Sequence, residues 1–284
     1  MNATVEKWDW HNSAKSSYWS FPLREIYPFR HLLFSLVRRE FLLSYQQTLL
    51  GPAWIVFQPL IALVTYILVF TKMIGISIGT IPPVLFYFSG ILLWNFFSDS
   101  FGGIYNTFRD NIQIFSKVYF PRIIMPLSFV STQFFKFLLQ LIFLFIMMAY
   151  FAIFKDVRIP LTSALLYCPL AVFCVGLISL SLGLIVSVLT AKYRDIGNVI
   201  TLGIRMMMFV TPVIYPLATI PESVRWIVML NPLTSLFEMF RYGLFGEGTV
   251  TLLPVLYSVV FTIFIFPIAI MFFNKNGNKL IDVV

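Results

Sequence analysis

The sequence predicts an all-α integral membrane protein with six transmembrane helices. Of its 284 residues, 59% are hydrophobic and only 11% are charged, and the mean hydropathy is +0.88. Soluble domains are about 45–50% apolar and about 25% charged. A water-soluble fold has too little polar surface to cover so much apolar chain, so most of the sequence is expected to lie in a lipid bilayer.

Each predicted span is a window of roughly 20 mostly apolar residues, the length that crosses the hydrocarbon core as a helix. Six windows meet this criterion: Ala53–Ile74, Val84–Tyr105, Ile124–Ile153, Ala164–Leu189, Val199–Leu217 and Val250–Phe273. The third window exceeds the minimum, so this helix is expected to tilt or to continue into a loop.

The distribution of lysine and arginine predicts the orientation, because cytoplasmic loops of membrane proteins are enriched in these residues. An even number of spans places both termini on one side, which receives Lys7, Lys15, Arg24, Arg30, Arg38, Arg39, Arg109, Lys117, Arg122, Lys192, Arg194, Lys275 and Lys279. The opposite side receives only Lys155, Arg158, Arg225 and Arg241. Both termini are therefore expected in the cytoplasm, in a multi-pass protein of the plasma (inner) membrane.

The chain before the first span is predicted to contain an amphipathic interface helix within residues 28–51. Its apolar residues follow the i, i+3, i+4, i+7 spacing of one helix face, namely Phe29, Leu32, Leu33, Leu36 and Val37. Cations on the other side suit lipid head groups. Whether this helix is only an anchor or also contacts a partner stays open. Residues 1–27, without a signal-peptide pattern, are expected to form a cytoplasmic arm, and residues 52–284 the transmembrane domain.

The segment between the fifth and sixth spans is predicted to form two short re-entrant helices on the outer side. It is too polar to span and too apolar for an ordinary loop. Pro221 and Pro232 are expected to start the two helices and Asn231 to cap the second, which Gly243 or Gly246 ends. Irregular backbone at membrane depth must face protein or water, which favours a gate over a simple interfacial cap.

Three charges fall inside predicted spans. By helix rise, Asp99 and Arg205 lie roughly 8–10 Å from the cytoplasmic ends of their helices, and Lys136 roughly 18 Å. Such groups usually pair or face water, because an unpaired charge at the bilayer centre costs about 2.5–3.5 kcal/mol. Two interpretations remain open for them: contact with an anionic substrate, or a structural ion pair. Met207 and its neighbouring methionines suit either a flexible lining or helix packing.

Several kinds of chemistry lack a signal in the sequence. There is no G-x-x-x-x-G-K-[ST] phosphate loop and no metal-ligand spacing, since the histidines are His11 and His31. Cys168 and Cys174 are spaced on different helix faces, so neither a disulfide nor a metal site is predicted. The net charge of +8 is attributed to membrane topology and not to nucleic-acid binding. No enzymatic activity is expected of this chain.

The order of several small motifs resembles the ABC-2 type permeases that export polysaccharides and polyol phosphates. The motifs begin with Tyr45, Leu50-Gly51, Trp54 and Pro59, and continue with Pro83, Gly90 and Trp94. Asn111, Phe120-Pro121, Pro126, Arg194-Asp195 and Asn231-Pro232 complete the pattern. No single motif is specific, but together they cover the chain from about residue 38 to its end.

The resemblance implies a homodimer that docks on two copies of a separate ATPase subunit, which would hold the ATP and Mg²⁺, so no cofactor is expected in this chain. It also implies that the loop between spans two and three contacts the ATPase. The expected coupling residues are Arg109, Asn111, Lys117, Tyr119, Phe120, Pro121 and Arg122. Prolines stiffen this loop and its cations suit acidic partners; topology alone would explain the cations but not the prolines.

The substrate implied by the resemblance is a glycan or polyol polymer on a polyprenyl pyrophosphate lipid. The expected substrate path includes Trp94, Asp99, Lys136, Arg205 and Met207. The expected outward gate includes Pro221, Trp226, Asn231, Pro232, Phe237, Phe240 and Arg241. Two alternatives remain at this point: a permease for capsule, teichoic acid or a small amphiphile, and a membrane assembly subunit that transports nothing.

Overall fold

A computed structural model describes residues 27–111, 120–155, 163–193, 195–248 and 250–280. Within these ranges the regular secondary structure is entirely helical, with no β-strand, and short turns and loops connect the helices. Five of the described helices are long and apolar enough to cross a membrane. The all-α prediction is therefore confirmed, and the chain is a multi-pass membrane protein.

Nine helices carry the architecture of the described ranges. They are α1 Arg30–Tyr45, α2 Trp54–Tyr66, α3 Pro83–Tyr105, α4 Ile124–Phe154, α5 Tyr167–Lys192, α6 Ile196–Val210, α7 Glu222–Met229, α8 Pro232–Phe245 and α9 Leu252–Leu280. A π-helical segment, Ile67–Met73, extends α2, and a short helical turn, Thr107–Asp110, follows α3.

Helices α3 and α5 form the buried centre of the bundle. They pack against each other, and α5 also packs against α8 and α9. Gly183 of α5 permits close approach to α3, because a Cβ built there would lie 2.7 Å from Ile104. Large side chains that are almost fully buried, among them Phe97 of α3 and Phe240 of α8, fill the space between the helices. The centre is thus a packed core rather than an open channel through one chain.

Helix α4 is longer than a bilayer is thick, and its surface shows which part meets lipid. Its 31 residues rise about 46 Å, whereas the hydrocarbon core is about 30 Å thick. Exposed large apolar side chains begin at Phe134 and end at Phe154, a rise of about 30 Å. The exposed apolar stretch has the length of one hydrocarbon crossing, and Lys136 lies near its start, two residues after Phe134. The depth predicted for Lys136 from the length of the span stays a prediction.

The first turns of α4 are covered by α1 rather than by lipid. Leu36 of α1 packs with Phe120, Ile124 and Met125 in a small core of its own. Because α1 lies along α4 from this core to the level of Lys136, it covers the part of α4 that precedes its exposed apolar stretch. The predicted helix is observed, with Leu36 and Val37 as its buried residues.

The predicted fifth span is observed only as the short helix α6. Its 15 residues rise about 22 Å, which is less than one bilayer crossing. The helix ends because proline disfavours the helical conformation of the residue before it. Thr211 precedes Pro212 and is accordingly extended, with ψ 140°. Of the six windows, five are thus observed as long helices and one as a shorter apolar helix.

The two short helices predicted between the last two spans are observed as α7 and α8. Helix α7 begins at Glu222, directly after Pro221. Helix α8 begins at Pro232, where the side chain of Asn231 accepts a hydrogen bond from the backbone N–H of Leu233 at 3.0 Å. It ends at Gly246, whose φ of 70° is left-handed and favours glycine.

Candidate functional site

A polar pocket of about 70 Å³ lies where α1, α2, α3 and α4 meet. Its polar lining residues are Tyr45, Gln58, Asn95, Asp99, Gln133, Lys136 and Gln140. Helical spacing explains why they converge: three of them recur at intervals of three and four on α4, and two are four apart on α3, so each set shares one face. The structure therefore brings two of the predicted site residues, Asp99 and Lys136, into one pocket.

The two charges of this pocket do not form an ion pair. The Nζ of Lys136 lies 3.5 Å from the Ser44 hydroxyl and 5.2 Å from the centre of the Tyr45 ring. No contact within 4.0 Å joins Lys136 to Asp99 in the described structure. Of the alternatives left open by the sequence, a direct Asp99–Lys136 ion pair is thus not observed.

Tyr45 supplies a hydroxyl that remains protonated. Burial, together with the nearby negative charge of Asp99, raises the pKa of Tyr45 to about 12. At neutral pH the phenol is therefore a hydrogen-bond donor as well as an acceptor. Gln140, by contrast, is engaged in holding helices together, because its Nε2 donates to the carbonyl of Ile55 at 2.8 Å.

The other residues predicted for the substrate path lie elsewhere. Trp94 is 6% exposed and packs in the core at 5.6 Å from the Phe97 ring, so it does not line an open surface of the chain. Arg205 and Met207 belong to α6, and no residue of α6 lines the polar pocket. The predicted path residues therefore separate into the polar pocket, the core and α6.

Helix α6 leaves a broad apolar face without a partner inside the described chain. Its inner side contacts α3 through the Tyr105–Thr201 hydroxyl pair at 2.9 Å. Its outer side exposes large apolar side chains: Val199, Leu202, Met206 and Phe209, which are 57–68% exposed. We name this the α6 face. Arg205 lies on it and is also exposed, and it makes no ion pair with Asp99 among the described residues.

A buried arginine fastens α8 to the end of α6. Arg241 is 2% exposed, and its guanidinium donates to the carbonyls of Pro212 at 2.6 Å and Val213 at 2.8 Å. The same group lies 3.8 Å from the centre of the Phe86 ring and 3.6 Å from the carboxylate of Glu238. We name this arrangement, Arg241 with the two carbonyls, the guanidinium clamp.

A second cavity, of about 520 Å³, lies beside the guanidinium clamp. The loop after α2, the chain before α7, and the carboxylates of Glu238 and Glu247 surround it. Thr80 donates a hydrogen bond to Glu247 across its rim. This cavity lies at the end of α3 opposite to the Thr107–Asp110 turn, because the loop after α2 leads into the first residue of α3.

The residues predicted for the outward gate have different environments. Trp226 of α7 is 62% exposed, whereas Phe237 and Phe240 are each 1% exposed and pack in the core. Both phenylalanines are therefore enclosed by neighbouring helices in this conformation, and their role in an outward gate stays a prediction. Arg241 is likewise a packing and hydrogen-bonding residue, and Pro221, Asn231 and Pro232 shape the helix ends.

The predicted coupling loop is described only at its two ends. Arg109 forms an exposed ion pair with Asp110 at 3.2 Å, and Asn111 is buried, its amide donating to the carbonyl of Thr107 at 3.2 Å. At the other end Phe120 is buried against α1, and Pro121 and Arg122 begin the turn into α4. Lys117 and Tyr119 lie outside the described residues.

Sequence reasoning missed several polar residues that the structure places at these sites. Gln133, Gln140 and Asn95 are uncharged, so a search for ionisable groups within spans overlooks them. Their spacing relative to Lys136 and Asp99 was nevertheless visible in the sequence as one polar face on each helix. Glu238 and Glu247 carried no comparable signal, because only folding of α8 brings them to one cavity.

A helical bundle in which most long helices expose apolar side chains, with irregular backbone braced inside it, defines a multi-pass membrane protein. The family model for ABC-2 type transporters matches residues 31–245. The chain belongs to this family. The match includes the polar pocket, α6, the guanidinium clamp and both short helices.

Three bacterial proteins are similar to this chain along most of its length. One from Myxococcus xanthus, "O-antigen export system permease protein RfbA", is 33% identical over 222 residues, which are 77% of this chain and 82% of that protein. Two from Klebsiella pneumoniae carry the same name. Each is 28% identical, over 257 and 255 residues, with 89% of this chain and 95% of the relative covered.

Proposed function

We propose that this chain is the channel-forming subunit of an ABC exporter that moves a lipid-linked polysaccharide of the O-antigen type out of the cytoplasm. The carrier would be a polyprenyl pyrophosphate, and a separate ATPase subunit would supply the energy. The observation that carries the proposal is the similarity to O-antigen export permeases along 77–89% of the chain.

The α6 face supports a homodimer. An arginine at the bilayer centre costs about 2.5–3.5 kcal/mol, so arginines within membrane helices face protein or water. Arg205 sits on the α6 face between Leu202 and Phe209. A second copy of the chain across this face would cover the apolar residues and leave Arg205 beside a water-filled path. In this arrangement Arg205 lines the path at the dimer axis, whereas Met207 packs against the core on the other side of α6.

A guanidinium suits the pyrophosphate of the proposed substrate because it donates paired hydrogen bonds in a fixed plane. Arg205 lies about 13 Å along α6 from Ile196, and Ile196 is at the end of the helix that the positive-inside rule assigns to the cytoplasm. The charged carrier group would meet it soon after entry. The termini are then cytoplasmic, and α7 and α8 lie on the outer side as gate helices.

The loop around residues 112–119 is proposed to contact the ATPase. Its described ends support this role, because they connect the loop to two different helices. Phe120 packs against α1, and Arg109 lies beside Gly197 at the start of α6. Movement of the loop would therefore be transmitted both to the interface helix and to the helix that lines the proposed path.

The test of the function is reconstitution of the chain with its ATPase in proteoliposomes. We expect polysaccharide-linked polyprenyl pyrophosphate to raise ATP hydrolysis, and the polymer to become accessible outside. Stimulation by small amphiphiles only would refute the polysaccharide assignment. Failure to assemble with any ATPase would instead support a subunit that does not transport.

The coupling role has its own test. Lys117→Glu combined with Arg122→Glu should abolish transport and the co-purification of the ATPase, because both changes reverse the charge offered to acidic partners. The doubly substituted chain should still reach the membrane. Asp110→Asn, in the exposed pair with Arg109, is the matched control and should retain the ATPase. Co-purification at the parent level with the double variant would contradict the coupling role.

A further inference from the structure

The polar pocket between α1, α2, α3 and α4 has features of a binding site that transport of a polymer does not explain. Its volume of about 70 Å³ corresponds to roughly five water molecules, which is the size of a small polar group rather than a sugar chain. The side chains of Gln58 and Asp99 are exposed at its rim. The pocket is therefore open, small and polar on the surface of an otherwise apolar bundle.

The charges of the pocket are balanced but separate. Lys136 contributes one positive charge and Asp99 one negative charge, and no ion pair joins them. An anion bound to Lys136 alone would leave the carboxylate unmatched beside it. A ligand that carries both a cation and an anion satisfies both groups at once, because charge-assisted hydrogen bonds are the stronger ones.

The neutral lining residues fit the same kind of ligand. The amides of Asn95 and Gln133 both donate and accept hydrogen bonds. The hydroxyl of Tyr45 remains a donor at neutral pH, as its raised pKa shows. These groups can hydrogen-bond to phosphate and ester oxygens located between the two charges.

The depth of the pocket points to the lipid head-group layer. Lys136 is two residues from Phe134, where the lipid-exposed surface of α4 begins. The flanking helix α1 exposes apolar side chains of its own, including Phe34 at 67% and Leu43 at 51%. A head group inserted in the pocket would thus leave its acyl chains along apolar helix surfaces.

We propose that this pocket binds the head group of a zwitterionic phospholipid with a primary ammonium, as in phosphatidylethanolamine. The ammonium donates hydrogen bonds to Asp99, and the phosphate accepts from Lys136 and the neighbouring amides. The lipid would bridge α1 to the transmembrane helices, because the pocket is lined from α1 on one side and from α3 and α4 on the other.

The test uses the purified full chain in nanodiscs with equal amounts of phosphatidylethanolamine, phosphatidylcholine and phosphatidylglycerol of identical acyl chains. After transfer to detergent, native mass spectrometry counts the lipids that remain bound. The parent chain should retain phosphatidylethanolamine about tenfold over phosphatidylglycerol, the ratio expected for one charge-assisted hydrogen bond. Phosphatidylcholine should bind less well, because its quaternary ammonium has no N–H to donate.

Single substitutions test the contribution of each of the two charges to lipid retention. Asp99→Asn should remove the preference for phosphatidylethanolamine over phosphatidylglycerol, whereas Asp99→Glu, which keeps the carboxylate, should retain it. Lys136→Gln should reduce the retention of both lipids. Asp110→Asn and Lys155→Gln, outside the pocket, are the matched controls and should behave like the parent. The retention of the parent elution profile in size-exclusion chromatography identifies variants that are folded.

Four results would overturn the proposal. The first is a parent chain that retains phosphatidylglycerol as well as phosphatidylethanolamine, which indicates a simple anion site. The second is an unchanged preference in Asp99→Asn, and the third is its loss in Asp99→Glu as well. The fourth is displacement of the lipid by an equal concentration of glycerophosphoethanolamine, which would identify a soluble zwitterion as the occupant. The experiment involves neither ATPase nor polymer, so its outcome is independent of the proposed export function.

Discussion

Replacement of Arg241 by methionine tests whether the guanidinium clamp holds α8 to the end of α6. Methionine retains most of the side-chain volume against the Phe86 ring but removes the donors to the carbonyls of Pro212 and Val213, at 2.6 and 2.8 Å. It also leaves the carboxylate of Glu238, now 3.6 Å from the guanidinium, without its cation. Removing one partner of a buried charged pair costs about 3–5 kcal/mol, so we expect a loss of that size in the free energy of unfolding.

Equilibrium unfolding of the purified chain in mixed micelles, followed by tryptophan fluorescence, measures this loss. Arg225→Met is the matched control, because that half-buried arginine makes one longer hydrogen bond, to the carbonyl of Leu217 at 3.3 Å. It should cost less than about 1.5 kcal/mol. Arg241→Met combined with Glu238→Met should be more stable than Arg241→Met alone, because no uncompensated carboxylate remains. A loss below about 1 kcal/mol for Arg241→Met would refute the reasoning, because it would be no larger than the cost of an average point mutation.

Three further changes test neighbouring parts of the structure. Gly90→Ala should lower the melting temperature of the purified chain, because the added Cβ would lie 2.6 Å from a carbonyl of the guanidinium clamp; Gly102→Ala, with open space around its Cβ, should melt like the parent. Cysteine at Trp226, which is 62% exposed, should react with a water-soluble thiol reagent added outside, whereas cysteine at Phe240, which is 1% exposed, should be protected; equal labelling of the two would contradict the burial of α8. Arg205→Ala should reduce export more than Arg205→Lys, with parent-level abundance in the membrane, and equal loss of abundance would indicate a structural role.

The sequence was sufficient to predict the helices because apolar run length and proline position act locally. The position of Asn231 before Pro232 predicted the start of α8 correctly, since the cap and the fixed φ of proline need no distant partner. Gly243 was expected as a possible end of that helix, but it lies within α8, where a Cβ would be 2.5 Å from Cys168. A glycine at position 243 is therefore explained by the close packing of α8 against Cys168 and not by a helix end.

The candidate sites were less predictable because they depend on which helices become neighbours. Helical spacing predicts that Gln133 and Lys136 lie on the same face of α4. It does not predict that Asp99, which is on α3, lies in the same pocket. The burial of Phe237 and Phe240 could not be deduced either. The pattern of α8 also suits a helix at the membrane–water interface, and α8 is enclosed only because α5 and α9 pack against it. The cover of the first turns of α4 by α1 could not be deduced either, because it depends on how the two helices pack.

The early end of α6 and the buried charge of Arg241 are connected, because the guanidinium binds carbonyl groups that the end of α6 leaves without helical partners. Pro212 forces Thr211 out of the helical conformation, and this leaves carbonyl groups at 212 and 213 without helical partners. Unpaired backbone groups at membrane depth are tolerated only when other groups of the protein satisfy them. Arg241 donates to both carbonyls, and Glu238 compensates its charge. A hydrophobic residue at position 241 could fill the same volume but could not satisfy the carbonyls. The short α6, and with it the exposed α6 face that carries Arg205, therefore depends on an arginine located on a different helix.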